Sequence, residues 1–545
     1  MSHSTQREAK SSGASSAQAE QNPWVVLIVL CTAVFMLLLD TTIVNNAQVK
    51  IREGLNADLT EIQWVLDSYI LTYAVLLLSL GRLGDVFGRK RLFMLGMLIF
   101  TLASGLCGVS SWLGGQIGVS GINMLIGARV LQGIGGAMMM PQSLSLLTVV
   151  FPPAKRGTAM GIWGSIVGLG AVAGPLIGGY LVTHYAWEWV FLINLPVGVV
   201  ALIAAARIIP ESTDPHASRK LDWTGLILSG VGIFLFVYGI IEGNIKGWGN
   251  PQIYGSIILG LILIAVFVLW EIHVPDPMMK VELFRIRNFF IGNVVALAVS
   301  FGMLGIFFPM TIYLQGILGY SAIKAGLAMS PMSITILFSA PFSGRLSDRI
   351  GTRWILFGGL LTMVVGILAI VRASTLDATP WTLLPSLVLT GLGMGFTFAP
   401  MTAAVMRDVP PRIAGSASGI LNTMRNIGQV LGIAVLGSVL QHQVSVHVDN
   451  NLQPIVTDSG TRNQIVEYAQ QSQFERIAGL VPTEQLAAVF DAVRSGFTSS
   501  VHDTFTAGAL ICLVAAAVAF FLRDPVREQL PQPAEREVAT PVAAD

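Results

Sequence analysis

The sequence predicts an all-α polytopic membrane protein, two six-helix repeats with two further helices inserted between them, fourteen spans in all. Three observations predict it. Of 545 residues, 53% are hydrophobic and only 12% charged, whereas soluble domains run near a quarter charged. The charges are clustered, which leaves apolar stretches of about 20 residues, long enough to cross a bilayer as helices. Finally, a basic stretch between two apolar runs, GRLGDVFGRKR at 81–91, returns in shorter form as GRLSDRIGTR at 344–353.

Taken in order, residues 1–22 are rich in Ser, Ala and Gln and read as a disordered tail. The first apolar run starts at Trp24 and continues past Leu39. A cleavable signal would lie nearer the start and carry a small-residue site after it, so this run is expected to stay as a span. The spans are placed at roughly 23–47, 60–80, 92–111, 122–150, 157–183, 187–209, 222–241, 252–271, 289–313, 324–343, 354–373, 381–405, 414–440 and 503–522. Lys and Arg test this map independently. With a cytoplasmic N-terminus, the inner connections gather seventeen of them, including Arg82, Arg89, Lys90, Arg91, Lys155, Arg156, Arg219, Lys220, Arg345, Arg349 and Arg353. The six short outer connections hold only Lys50, Arg52, Lys246, Lys324 and Arg372. That bias satisfies the positive-inside rule and puts both ends in the cytoplasm.

The duplication extends beyond the basic motif. Pro141, Pro152-Pro153, Gly157 and Gly161 match Pro400, Pro410-Pro411, Gly415 and Gly419. Six spans per repeat, with two more at 222–271, account for the map, and parallel six-span repeats are the plan of transporters that rock about a midplane site. The expected divisions are a first bundle at 23–210, an inserted two-helix linker at 211–284, a second bundle at 285–525 and a disordered tail at 526–545. The second bundle includes a long, mildly acidic outer loop at 441–501, in which Ile465–Ala478 and Thr483–Ser495 look like short amphipathic helices. Cys31, Cys107 and Cys512 all fall within spans and read as small apolar packing residues. His442 and His447 have a weak metal spacing and are assigned no role. A net charge of +1 gives no reason to expect nucleic acid as a partner.

These residues resemble the major facilitator superfamily, and within it the fourteen-span drug:proton antiporters. The 81–91 motif is similar to the superfamily's inner-loop signature. Leu39-Asp40-Thr41-Thr42-Ile43-Val44-Asn45 resembles the first-span signature of the fourteen-span branch. Arg129-Val130-Leu131-Gln132-Gly133 resembles the fourth-span signature, and GAVAGPLIGG at 170–179 the fifth-span antiporter motif. Leu221-Asp222-Trp223 and Gly247-Trp248 look like the branch's inserted pair. The stretch after Asn45, Asn46-Ala47-Gln48-Val49, departs from the Val-Ala-Leu-Pro usual in the family. The resemblance covers about 23–525. It implies a multi-pass protein of the cell membrane that exports amphipathic small molecules, expected to be cationic, in exchange for protons. It further implies no cofactor beyond the proton gradient and a monomer as working unit, with lipid bilayer, substrate and protons as partners.

Ionisable groups inside spans carry function by default. At ~1.5 Å per residue, Asp40, Asp67 and Arg129 reach a similar depth, so the three can meet. Burial favours the protonated form of a carboxylate and a nearby Arg the ionised form, so an Asp between these influences can take up and release a proton. Asp40 is the favoured carrier and Asp67 the alternative, with Arg129 as the fixed charge; a permanent Asp–Arg tie between helices is the plainer alternative. Arg425 heads a polar stripe with Asn422, Asn426 and Gln429 that can line a cavity, to which Asn45 and Gln132 are added. Gly170, Gly174 and Gly178, with Gly179, form a flat face for close helix packing, and Pro175 favours a bend. The expectation is a tight seam against leakage.

In the 81–91 motif, Gly81, Gly84 and Gly88 are expected to make a tight connection. Asp85 is expected to meet the following helix N-terminus or a guanidinium, and Arg89, Lys90 and Arg91 to hold the loop at the surface. The whole is read as an inner gate that holds the outward-facing state, and Asp348 is its counterpart. Met138–Met140 read as packing that can also repack around varied ligands. Competing readings are a dedicated exporter of one endogenous product, such as an antibiotic or siderophore, a membrane-embedded lipid-modifying enzyme, and a channel or sensor. No HExxH, GxSxG or GxxxxGK[ST] occurs, which disfavours the enzyme and ATP-driven readings.

Overall fold

The computed structural model describes residues 22–57, 59–213, 222–470 and 474–523. Residues 1–21 and 526–545 of the expected tails, and Arg219, Lys220 and Leu221, lie outside those residues. Every regular element described is a helix: α1 Pro23–Leu55, α2 Leu59–Phe87, α3 Arg89–Gly108, α4 Ser110–Ile117, α5 Gly121–Val150, α6 Pro153–His184, α7 Trp189–Leu192, α8 Asn194–Ile208, α9 Trp223–Lys246, α10 Pro251–His273, α11 Arg287–Ile312, α12 Ala322–Ile350, α13 Thr352–Ala373, α14 Pro380–Arg407, α15 Ala414–Leu452, α16 Ser459–Gln470, α17 Phe474–Ile477 and α18 Thr483–Ala519. Local chemistry sets many of the starts. Asn22 caps α1 by accepting from the Trp24 amide at 3.0 Å, with Pro23 as first helical residue. Asp222 caps α9, and Thr379 and Thr382 make a reciprocal capping box on α14.

Twelve helices among the described residues are long and apolar enough to cross a membrane. Helices α6 and α11 occupy two further expected spans, 157–183 and 289–313. The outer surface is apolar, with Phe338, Trp381 and Val200 each more than two-thirds exposed, which suits a hydrocarbon solvent and would be a liability in water. Helices α5 and α14 are largely enclosed.

The same neighbour pairs recur in both halves. In the first, α1 packs on α6, α2 and α3 on α5, and α3 on α8. In the second, α11 packs on α15, α12 and α13 on α14, and α13 on α18. The halves meet through α6 on α12 and through α2 on α15. Helix α9 lies over the second of these seams. Its Ile233 and Val237 pack with Leu71 of α2 and Val430 of α15, and Trp248, just past its end, donates to Ser438 of α15 at 3.0 Å.

Two expectations about loops are corrected. The 81–91 stretch is not a loop. Helix α2 runs on to Phe87, and the whole connection is Gly88 at φ 113° before α3 begins. Gly81 and Gly84 lie inside α2, so neither serves the turn. The shorter copy repeats this design, with Gly351 at φ 101° between α12 and α13. A side chain is strained at such φ values, and glycine is not. The long loop at 441–501 is also largely helical. Helix α15 runs on to Leu452, α18 starts at Thr483, and α16 and α17 lie between. Buried Ile465, Val466, Ile477 and Val489 belong to the main core, which is why polar-looking sequence there holds regular structure.

Candidate functional site

Three polar constellations interrupt the apolar interior. The first lies at the motif ends of α2 and α12. Asp85 is wholly buried and accepts from the Arg89 Nε at 3.0 Å and its Nη2 at 2.6 Å. It also accepts from the other half: the amide N–H of Gly415 at 2.9 Å, and the amide of Ser416 at 2.8 Å with its hydroxyl at 3.2 Å. The helix N-terminus that Asp85 satisfies is therefore that of α15, not that of α3. Arg89 is buried as well, and donates onward to the carbonyls of Pro411 and Arg412 at 2.7 and 2.8 Å. It is an interior group and does not hold a loop at the surface. Lys90 donates to the Ala206 carbonyl at 2.7 Å, and only Arg91 is largely exposed. The close approach rests on glycine: a Cβ on Gly81 would stand 2.8 Å from the Gly415 carbonyl oxygen.

The second copy mirrors this contact with less charge. Asp348 accepts from the amides of Gly157 and Thr158 at 3.1 and 3.0 Å and from the Thr158 hydroxyl at 3.2 Å. It is exposed, and Thr352 stands where Arg89 stands in the first copy. Arg407 donates to that Thr352. Each half thus offers an aspartate to a helix N-terminus of the other half, and these contacts close the motif face.

The second constellation surrounds Asp40. Arg129 donates to its Oδ2 at 2.5 Å, Gln132 to its Oδ1 at 2.8 Å and Asn194 to the same oxygen at 3.3 Å. Arg129 also reaches the Val65 carbonyl at 3.1 Å and Gln132 Oε1 at 2.8 Å, and lies 4.2 Å from the centroid of the Tyr69 ring. Asp40 and Gln132 are wholly buried and Arg129 is 1% exposed. Spans α1, α5 and α8 are tied together here. Asp67 does not join them, which corrects the expectation that three charges meet. It faces a different space.

That space is the third feature, a cavity of about 340 Å³ between the halves. Asp67, Tyr69 and Tyr73 of α2 line it, as do Leu37, Leu38 and Thr41 of α1. From the second half come Phe398 of α14 and the stripe Asn422, Arg425, Asn426 and Gln429 of α15. Ile240 and Ile241 of α9 complete one wall. Among the described residues Asp67 makes no hydrogen bond or ion pair to another side chain. Gln132 lies in the Asp40 cluster and not in the cavity. The side chains of Asn45 and Pro175 lie outside the described residues.

The glycine face of α6 packs on α1 within the same half. Thr42 donates to the Gly170 carbonyl at 3.1 Å, and a Cβ on Gly178 would come within 2.8 Å of Ile43. Gly179 instead faces Ile323 of the other half.

Two paired helical halves, mirrored contacts on one face and a shared central cavity fit one architecture, and residues 30–433 match the Major Facilitator Superfamily. The chain belongs to the major facilitator superfamily. It is a multi-pass membrane transporter. Among curated relatives, it is 34% identical to the tetracenomycin C resistance and export protein of Streptomyces glaucescens, over 94% of this chain and 95% of that one. It is 33% identical to the puromycin resistance protein of Streptomyces alboniger, over 80% and 86%. Among solved structures, the superfamily's proton:xylose symporter aligns with a TM-score of 0.58 at 11% identity, over 92% of this chain and 96% of that one. At that identity the likeness speaks for the fold.

Sequence reasoning missed several members of these sites. Asn194 and Ser104 complete the shell around Asp40, with Asn194 donating to Ser104 at 3.1 Å. A polar residue inside an apolar span was the available signal for both. Gly157 and Gly415 read only as marks of the duplication, yet they receive the two motif aspartates. The nearly common offset of both motif pairs held that information.

Proposed function

We propose that this superfamily member is a proton-coupled secondary active exporter of amphipathic small molecules, cationic ones included, working by alternating access. In this reading fourteen of the helices, those at the expected spans, cross the membrane. Residues 23–210 and 285–525 form the two rocking bundles, 211–284 is the inserted pair, and both ends face the cytoplasm of the cell membrane. The export and resistance named for the similar proteins support the direction of transport. One observation carries the reading: a cavity shared by both halves holds Asp67, a carboxylate with no ion pair among the described residues, while the motif face is closed.

Asp67 takes the coupling proton in this reading, and Asp40 does not. Asp40 is saturated by Arg129, Gln132 and Asn194 and is sealed from the cavity, so protonating it would break a buried ion pair, at a cost of several kcal/mol. Asp67 reaches the cavity directly and can exchange its proton with water or with a cationic substrate there. The Asp40–Arg129 cluster holds α1, α5 and α8 in register behind that wall. The proton gradient is the energy source, with no cofactor, and one chain is the working unit.

Proteoliposomes loaded by a panel of cationic dyes, with and without a pH gradient, test this. Dye accumulation should require the gradient in the wild type. Asp67→Asn should abolish gradient-driven accumulation while dye exchange at equal pH persists, and Asp40→Asn should retain coupling in whatever protein folds. Undiminished coupling in Asp67→Asn would overturn the assignment. A panel moved by no gradient would instead favour a dedicated exporter of one endogenous product.

A further inference from the structure

The cavity holds a second charge that proton coupling does not use. Arg425 is buried at 7% exposure and lines the cavity from α15. Its Nη2 donates to the Thr402 hydroxyl at 3.1 Å, and the guanidinium lies between aromatic rings, 5.4 Å from the centroid of Phe398 and 5.7 Å from that of Trp163. Its Nε is buried with no hydrogen-bond partner. Among the described residues no carboxylate forms an ion pair with it. Arg129 makes the contrast plain, since its guanidinium has Asp40, Gln132 and a backbone carbonyl as acceptors.

A buried cation without a counter-ion is costly, and proteins keep such groups where a partner arrives. Asp67 is not that partner. Tyr73, whose hydroxyl bonds Asn426 beside Arg425, stands six residues along α2 from Asp67, about 9 Å of helix rise. The cavity therefore has a positive end at Arg425 and a negative end at Asp67, with flat apolar walls between them. The amides of Asn422, Asn426 and Gln429 add donors and acceptors at the positive end.

We propose that Arg425 is the anion-binding group of the substrate site, and that the preferred substrate is a flat aromatic amphiphile with a carboxylate or other acidic oxygen at that end and its cationic or polar end toward Asp67. The unpartnered Nε and the Nη groups supply charge-assisted hydrogen bonds in the fork that suits a carboxylate. Phe398 and Tyr73, both in the cavity wall, supply the surface against which a ring system lies. This rests on the reading of the cavity as the export site and narrows its substrate class from cations to zwitterions.

Rhodamine B and its ethyl ester test the proposal, because they differ only in whether the carboxylate is free. Binding is measured by fluorescence anisotropy on the full chain in nanodiscs, against empty nanodiscs. Rhodamine B should bind about tenfold or more tightly than the ester, the range a hydrogen bond to a charged group supplies. Arg425→Gln should weaken rhodamine B by about ten- to a hundredfold and the ester by less than about threefold. Arg425→Lys should fall between. If the ester binds as well as the free acid, or if Arg425→Gln weakens both alike, the proposal is overturned. Should Arg425→Gln fail to fold, the wild-type pair and Arg425→Lys decide on the same criteria. Gradient-driven transport of the ester alone would leave the export reading standing and remove this one. Transport of neither dye, with no binding, would remove both.

Discussion

Neutralising Asp85 separates the two motif copies. Asp85→Asn keeps the shape of the side chain but removes its charge, and with it the pairing to Arg89. Three donors from the second half lose their anionic acceptor: the amides of Gly415 and Ser416 and the Ser416 hydroxyl. A hydrogen bond to a charged group is worth about 1 kcal/mol more than a neutral one. The two short backbone bonds therefore account for about 2 kcal/mol, and loss of a negative group from the α15 N-terminus for up to about 1 kcal/mol more. The total near 3 kcal/mol moves an opening equilibrium by roughly a hundredfold, enough to turn a 100:1 closed state into near parity. Arg89 retains the Pro411 and Arg412 carbonyls, so the face loosens and does not fall apart. Asp348→Asn should matter far less, about 1 kcal/mol or below, because Asp348 is exposed and solvent screens its charge. The assay is pulsed electron–electron resonance between spin labels on cysteines introduced at the exposed positions Arg91 and Arg345. Natural Cys31, Cys107 and Cys512 are buried and will label poorly. Asp85→Asn should add a longer distance population, and Asp348→Asn should barely change the distribution. An unchanged distribution in Asp85→Asn, or a larger change in Asp348→Asn, would refute the charge asymmetry.

Two further outcomes follow from the packing. Arg129→Ala strands a buried Asp40 and should cost about 3–5 kcal/mol, read as a sharp drop in melting temperature by scanning fluorimetry; the Asp40→Ala/Arg129→Ala pair should melt higher than Arg129→Ala alone, and simple additivity would deny the coupling. Gly178→Leu should destabilise the α1–α6 contact by about 1–3 kcal/mol through overpacking against Ile43, and a melting temperature equal to the wild type would show that the two helices can part without cost.

How much of this was legible in the sequence depends on which residues carried the signal alone. The positions of the twelve long apolar helices were legible because a bilayer demands about 20 apolar residues at a time, a property that one segment shows by itself. The Asp40–Arg129 pair was legible because opposite charges in apolar runs need one another, and their depth follows from helix rise. Asp67 shared that depth but not that direction. Depth along a helix leaves the azimuth open, and azimuth decides whether a side chain joins a cluster or faces a cavity. Charge at equal depth was thus a necessary condition read as a sufficient one.

The motif shows the same limit from the other side. Its Asp, Gly and Arg suggested a tight loop with local capping, since a single stretch offers only its own neighbours as partners. The acceptors and donors that matter are contributed by the other repeat, more than 300 residues away in the case of Asp85 and Ser416. What made the distant partner recoverable in principle is the duplication itself. The motif aspartate and the Gly that follows Pro-Pro recur together, so each repeat carries one donor end and one acceptor end. Neither can satisfy itself within its own half: the α2 end meets the α15 start, and the α12 end meets the α6 start. Two copies of a half-satisfied unit close on each other, and a substitution that keeps one aspartate but loses the Arg beside it, as at Thr352, leaves a weaker latch at that seam.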